Sequence, residues 1–459
     1  MRRQPATRTA RAARSALALV VVIGAAALSA CAESGEPFDA STTVSTAVPT
    51  EPVAQLAQAR ASTAESLVDG LLDCPTVRAD AVTDRSFAVA YVTSSRESRQ
   101  GAGPARLPDI GNDIAQIRAL VDAANACPGP PIELHVHDQY EIGVPVSQAE
   151  VCDDVARNER NDLVIARNFP IAQLRCVTDR IPTIFIGTAP QSRLPPGNLT
   201  VLGPDADIAI ETTMATLRSG SMIATDAVVG LLSEAEDAAY IDSVVEPLVQ
   251  PEVAAALSFD DDAGCPEARV AAREFRAAGV GVIVSALSFR CLPEAAHELR
   301  RLRAQWVVLP VGVGTDDAAL AALSAEARAV DGALSVTPLP RGPIAFTTPS
   351  APPALGEACN EITAAKGEDY EYGIIEYQSV EELCIAVTLA RDAARGPRDI
   401  DSIVTAVRAH AELPLPGNLL GGFPDGRPWA TDDVVYVQRY SADCACWSYE
   451  SGPSVRDRA

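Results

Sequence analysis

Residues Ser86 to Asp138 read SFAVAYVTSSRESRQGAGPARLPDIGNDIAQIRALVDAANACPGPPIELHVHD, and this stretch decides the fold. It opens on an apolar run, Phe87 to Val92, of the length of a buried strand. A polar loop of Ser, Thr, Arg and Gly follows, from Thr93 to Arg106. Asp109, behind Pro108, then offers a helix N-cap, and Ile110, Ile114, Ile117, Val121 and Ala124 recur at helical spacing. A second apolar run, Ile132 to His137, completes a strand-loop-helix-strand unit. In open parallel sheets ligands bind beyond the carboxyl ends of the strands. The loop from Thr93 to Arg106 occupies that place and is the first candidate ligand loop.

Outward from this unit, the N-terminus reads as a targeting segment. Five arginines, Arg2, Arg3, Arg8, Arg11 and Arg14, precede an apolar core from Ala16 to Ala27. That core is short for a transmembrane helix, which needs about 20 apolar residues. It ends in Leu28-Ser29-Ala30-Cys31, which matches the bacterial lipobox, with Cys31 the lipidated residue. The expectation is a signal peptide over 1–30, a lipidated tether over 31–52 rich in Ser, Thr, Glu and Pro, and a leading helix over 53–73. The protein is thus expected to be exported and anchored by lipid to the outer face of the cell membrane. No other run in the sequence is long and apolar enough to span a bilayer.

The formal charge is −24, and loss of the five leader arginines makes the mature chain more acidic still. Phosphate binding needs Lys and Arg, so nucleic acid is not an expected partner. Docking on anionic lipid is disfavoured for the same reason.

Of eleven cysteines, ten remain after Cys31. An even number in an exported chain reads as a disulfide framework. The spacings suggest Cys152 with Cys176 and Cys265 with Cys291, each pair bracketing one strand. They also suggest Cys359 with Cys384 between two helices, Cys74 with Cys127 at the opening unit, and Cys444 with Cys446 across one residue. Connectivity is not fixed by spacing and stays open at this stage. No CxxC pair or Cys-His cluster points to a metal.

From Ser86 onward strands and amphipathic stretches alternate. The strand candidates are Phe87–Val92, Ile132–His137, Asp162–Ala166, Thr183–Ile186, Leu199–Leu202, Ala227–Leu232, Val280–Ala286, Trp306–Leu309 and Leu334–Thr337. Alternation of this kind predicts parallel sheets covered by helices. The count is high for one sheet and the chain long for one domain, so two α/β lobes are expected. Two long helices, Ala351–Lys366 and Gln378–Arg395, precede a late strand, Val434–Tyr440, which predicts a return of the chain to an earlier sheet.

Several stretches together resemble one family. Ala124-Asn125 before a Pro/Gly turn and Ile132-Glu133-Leu134 is one. Ile181-Pro182-Thr183-Ile184-Phe185-Ile186-Gly187-Thr188 is another, followed by Gly332 to Pro338, the helix from Tyr377 to Ala390, and Gly422-Phe423-Pro424-Asp425-Gly426-Arg427. In this order they resemble the branched-chain amino-acid-binding type of extracellular solute receptor, which has the type I periplasmic-binding-protein fold. Family members often carry a disulfide where Cys152 and Cys176 stand. The resemblance implies parallel sheets flanked by helices in two lobes, three crossovers, a hinged cleft that closes on a small molecule, and delivery to an ABC-type membrane permease. It places lobe one at 74–203 and 335–411, and lobe two at 204–334 and 412–450.

By position, the resemblance makes Ser94, Ser95, Thr188 and Tyr240 the candidate ligand contacts, with Asn168 and Ser285 in the loops after the third strand and in lobe two. Two departures bear on the ligand. The third strand is followed by Arg167-Asn168-Phe169-Pro170-Ile171, without the serines usual in the family. Lobe two offers Ser285-Ala286-Leu287-Ser288 where an acidic group is usual. Arg167 itself reads as a surface arginine rather than an anion contact.

Enzyme readings find little support. His135 and His137 share one strand face, but His297 and His410 stand at no ligand-like spacing. There is no GxSxG elbow and no Walker A loop. Gly279-Val280-Gly281 opens a strand rather than a helix, which fails the dinucleotide fingerprint. Asp260-Asp261-Asp262 lacks the glycine and glutamate of a calcium loop and reads as a solvated turn. The expectation is a binding protein for a small polar molecule, such as an amino acid or amide, without catalysis or cofactor. A sensory or protein-interaction lipoprotein of the same fold is the alternative, and a hydrolase built on His135 and His137 a third.

Overall fold

The computed structural model describes residues 85–93, 113–138, 152–158, 160–167, 175–187, 197–203, 205–224, 226–235, 237–259, 264–287, 291–309, 327–337, 354–364, 374–410, 413–415, 419–423, 434–443, 446–449 and 454–455. The expected leader, tether and leading helix lie outside them.

The opening unit forms β1 (Phe87–Thr93), α1 (Asp113–Asn125) and β2 (Ile132–Asp138). The turn between α1 and β2 is held by Asn125. Its Nδ2 donates to the Ile132 carbonyl at 2.9 Å and its Oδ1 accepts from the Ile132 N–H at 2.7 Å. The side-chain amide thus acts as a neighbouring backbone unit and sets where β2 begins. A helical turn (Asp154–Asn158), β3 (Leu163–Arg167), α2 (Arg175–Thr178), β4 (Thr183–Ile186) and β5 (Leu199–Leu202) follow. The five strands form one parallel sheet in the order β2-β1-β3-β4-β5.

The chain then builds a second sheet. Its elements are α3 (Ala206–Ser219), β6 (Val229–Glu234), α4 (Ala238–Val249), β7 (Val253–Leu257), α5 (Ala268–Ala278), β8 (Val282–Ala286), α6 (Leu292–Leu299), β9 (Gln305–Val308) and β10 (Leu334–Thr337). The parallel strands run β7-β6-β8-β9-β10. Strand for strand this repeats the order of the first sheet. After α7 (Ala354–Ala364), α8 (Ile374–Ala394), α9 (Ile400–Val407) and the hairpin β11 (Leu413–Leu415) and β12 (Leu419–Gly421), the chain returns as β13 (Val434–Ser441). This strand is antiparallel to β10 and is followed by β14 (Cys446–Tyr449) and β15 (Ser454–Val455).

Strands buried on both faces explain the near-continuous apolar runs in the sequence. On one face of the first sheet Phe87, Val89, Tyr91, Leu163, Ile165 and Ile184 pack with α1, α8 and α9. On the other, Ala90, Val92, Val164, Ala166, Phe185 and Val201 form a smaller core. In the second sheet Val229, Leu231, Val282 and Val284 meet α3 and α4, while Leu232, Ile283, Trp306 and Phe275 lie on the α5 and α6 side. Gly230 makes room for that ring: a β-carbon there would come within 2.6 Å of Phe275.

The returning helices are fastened to the first sheet by arginines. Arg398 donates to the carbonyls of Arg85 and Ser86 and pairs with Asp162 at 3.0 Å, and its guanidinium lies over the Phe87 ring. Arg408 donates to Thr200 Oγ1 and to the Leu199 carbonyl at the far side of the sheet.

Disulfides join Cys152 to Cys176, Cys265 to Cys291 and Cys359 to Cys384. The first two occupy matching places. Each links the segments that follow the second and third strands of its sheet, across the first strand that lies between them. Cys127 is also disulfide-bonded, while Cys74 and Cys444, and the side chain of Cys446, lie outside the described residues.

Three features differ from the sequence reading. The lobe boundary expected between 334 and 335 falls inside β10, which pairs with β9 and β13, so lobe two runs on to Thr337. Leu413 and Phe423, expected in lobe two, are buried in the first core, so lobe one continues past 411. Strand β7 was not anticipated: its sequence, VAAAL, is alanine-rich, and as the end strand of its sheet it exposes alternate residues.

Candidate functional site

The carboxyl ends of β1, β3 and β4 are Thr93, Arg167 and Ile186. Val92 pairs with Ala166, and Arg167 with Ile186. The register therefore puts Thr93 and Arg167 side by side, on the face that Tyr91 and Ile165 present to α1 and α8. Arg167 is not on the surface: its side chain is only 9% exposed. Its Nη1 pairs with Asp113 Oδ1 at 3.1 Å and its Nη2 with Glu382 Oε2 at 3.1 Å. Asp113 opens α1 and Glu382 lies in α8, so one guanidinium ties two helices to the end of a central strand. Burial works against its charge, but the two carboxylates, with the Tyr91 ring nearby, outweigh that and raise its pKa above the ordinary arginine value. The surface reading of Arg167 fails because the acids that enclose it come from distant parts of the chain.

Thr93 ends the strand fully buried, and its Oγ1 has no hydrogen-bond partner among the described residues. A buried hydroxyl without a partner costs free energy, which makes this atom a marked feature of the edge.

In the second lobe Ser285 lies near the carboxyl end of β8, buried, where its Oγ accepts from the Leu287 N–H at 3.4 Å. Tyr240, in the first turn of α4, donates its phenolic hydrogen to Asp207 Oδ1 at 2.6 Å. Asp207 stands in the first turn of α3, directly after the passage between lobes. The hydroxyl of Tyr240 is thus engaged in joining α3 to α4. Ser94, Ser95, Asn168 and Thr188 lie outside the described residues.

That passage is short. β5 ends at Leu202, and α3 begins at Ala206 with Asp205 as its N-cap, whose Oδ1 accepts from the Asp207 N–H at 3.0 Å. The chain crosses back between β10 and α7, and once more between β12 and β13. The first two crossings leave from strand carboxyl ends, one from each sheet. The Thr213 hydroxyl of α3 donates to the Ala209 carbonyl at 2.8 Å and lies 3.3 Å from the Val336 carbonyl, which sets the helix after the first crossing beside the strand before the second.

His135 takes part in local bonds. His135 Nδ1 is 2.9 Å from Asn161 Oδ1, and its Nε2 is 3.4 Å from Glu133 Oε1. Hydrogen bonds from Ser86 and then His135 hold the Glu133 carboxyl below its usual pKa. Among the described residues no group of His, Cys, Asp and Glu is arranged to hold a metal, and no helix is long and apolar enough to cross a membrane.

No protein-family model matches the sequence, and no curated protein matches it either. Solved structures do. The isoleucine-bound branched-chain amino acid transporter substrate binding protein of Streptococcus pneumoniae superposes with a TM-score of 0.57 at 15% identity, over 81% of this chain and 99% of that one. The fold is that of a type I periplasmic binding protein. A solute binding protein of R. palustris in complex with 4-hydroxybenzoate gives 0.58 at 10% identity, over 82% and 98% of the two chains. A fatty acid ABC transporter substrate-binding protein of Thermomonospora curvata gives 0.58 at 14% identity, over 82% and 94%. In the terms of this fold, the paired 2-1-3-4-5 sheets are the two lobes, and Arg167 with its two acids fills the carboxyl end of the first. Sequence reasoning had no signal for that cluster beyond a lone arginine at the end of an apolar strand.

Proposed function

We propose that the protein is a lipid-anchored extracytoplasmic solute-binding protein that captures a small polar molecule between its lobes and hands it to an ABC-type membrane permease. The observation that carries this reading is the pairing of two like-ordered parallel sheets through crossings that leave from their carboxyl ends. Ligands of open parallel sheets bind at those ends, and two lobes joined by a few crossing segments can close by hinge motion. The solved structures of the same fold, bound to isoleucine and 4-hydroxybenzoate, support the same reading. The hydroxyls of Ser94, Ser95 and Thr188, the Asn168 amide and the ring of Tyr240 are proposed to contribute contacts. Ser285, whose hydroxyl closes its own turn, is proposed to shape the opposite wall.

The test is a thermal-shift screen of the delipidated mature protein against amino acids, amides, short organic acids and sugars. A ligand at 100 times its dissociation constant stabilises by about 2.7 kcal/mol. No shift with any compound would remove the transport reading and favour a protein-interaction role. For the anchor, Cys31→Ser is expected to release the protein from membranes. Retention of that variant would overturn lipidation at Cys31.

A further inference from the structure

The three disulfides described at both ends differ in their access to solvent. Cys265, Cys291, Cys359 and Cys384 are each 0% exposed, whereas Cys152 and Cys176 are both half-buried. Exchange requires a thiolate to reach a disulfide sulfur, so access decides which bond a reductant meets first. The contrast is sharpest between Cys152–Cys176 and Cys265–Cys291, which occupy matching places in the two lobes.

The two bonds also fasten unlike pieces. Cys265 and Cys291 stand just before α5 and α6, helices of 11 and 8 residues. Those helices bury Ala271, Ala272, Phe275, Ala295, Ala296 and Leu299 in the second lobe. Cys152 and Cys176 instead hold a helical turn of five residues and α2 of four. Helices this short do not form without outside support. They enter the smaller core of the first sheet through Val155 and Val177. Loss of the staple there removes much of what orders the two pieces, while α5 and α6 keep their packing.

We propose that Cys152–Cys176 is a redox-sensitive staple of lobe one. A dithiol reductant, small or protein-borne, supplies two electrons and two protons. The S–S bond breaks, Cys152 and Cys176 become thiols, and the reductant closes to its own disulfide. The helical turn and α2 then open locally without unfolding the lobe. Because α2 lies between β3 and β4, the strands that end at Arg167 and Ile186, the switch acts on the unit that builds the candidate site. This goes beyond the solute-binding reading and does not depend on it.

The test treats the mature protein with graded dithiothreitol at neutral pH without denaturant. Free thiols are alkylated, and peptide mass spectrometry follows the labelling of each cysteine. Cys152 and Cys176 are expected to be labelled about tenfold faster, or more, than Cys265, Cys291, Cys359 and Cys384. Hydrogen exchange on the selectively reduced protein is expected to show lost protection over 154–158 and 175–178, with protection kept over 268–278 and 292–299. Oxidised glutathione, which takes the two electrons back, is expected to restore it. The variant carrying both Cys152→Ser and Cys176→Ser is expected to show the same exchange pattern without any reductant, which separates loss of the bond from side effects of the reagent. Labelling of all six cysteines at one rate would mean that reduction follows global opening, and would overturn the proposal. So would faster labelling of Cys265 and Cys291. Unchanged protection over 154–158 and 175–178 after reduction, or in the double variant, would show that the bond locks nothing and would overturn it as well.

Discussion

Gly203 lies against the backbone of Gly187: a β-carbon on Gly203 would sit 2.2 Å from the Gly187 carbonyl oxygen. Gly187 closes β4 at a φ of +143° and donates its N–H to the Leu202 carbonyl at 3.2 Å. The last rung between β4 and β5 therefore touches the first residue of the passage into lobe two. Backbone approach of this kind admits no side chain.

Gly203→Ala is accordingly expected to push the crossing away from β4. The cost is about 1–3 kcal/mol, the range of an overpacked site. Urea denaturation measures it. An unchanged midpoint would show that the passage yields freely and that Gly203 does not fix it.

The triad of Arg167, Asp113 and Glu382 makes an asymmetric prediction. Arg167→Met removes the cation and strands two buried acids, for a loss of about 3–5 kcal/mol. Adding Asp113→Asn and Glu382→Gln to Arg167→Met is expected to recover a large part of it, since no uncompensated charge remains. If the triple variant is as unstable as the single one, the loss comes from packing of the arginine stem instead.

How much of this was legible in the sequence follows from what each signal reports. Apolar runs bounded by turns report burial, so nearly all the parallel strands and the two-lobed plan were readable. β7 was not, because an alanine-rich end strand lacks the branched residues that mark a strand. The placement of β10 was missed because the strand sits just before a crossing and either lobe suits its pattern. Arg167 was misread for a different reason. Burial of a charge is decided by its partners, and Asp113 and Glu382 reach it only through the fold. The partner of the Tyr240 hydroxyl, Asp207 of a neighbouring helix, was out of reach of the sequence for the same reason.

The disulfides Cys152–Cys176 and Cys265–Cys291 close loops of similar length, with sequence separations of 24 and 26. The chain-entropy account gives each about 3.5 kcal/mol. They belong to different lobes, so replacing each pair by serine is expected to destabilise by similar and additive amounts. Denaturation of the two double variants and their combination checks this. Strong non-additivity would mean that the lobes do not unfold independently of one another's staples.

Asp399 supplies a pH-dependent element at the start of α9. Its Oδ1 accepts from the Ser402 N–H at 2.9 Å, an N-cap bond. The Ser402 hydroxyl and then its backbone N–H hold the Asp399 carboxyl below the ordinary value of 3.8. A carboxyl whose pKa is depressed in the folded state stabilises fully above its unfolded pKa. That contribution fades as the pH falls through the folded pKa. Asp399→Asn keeps an acceptor for the cap but cannot titrate. The parent is therefore expected to lose melting temperature more steeply than the variant as the pH drops below about 4. The variant's curve should lie lower near neutrality, where the charged cap is strongest, and approach the parent's in acid. Parallel curves across that range would mean that the carboxylate charge adds nothing to the cap.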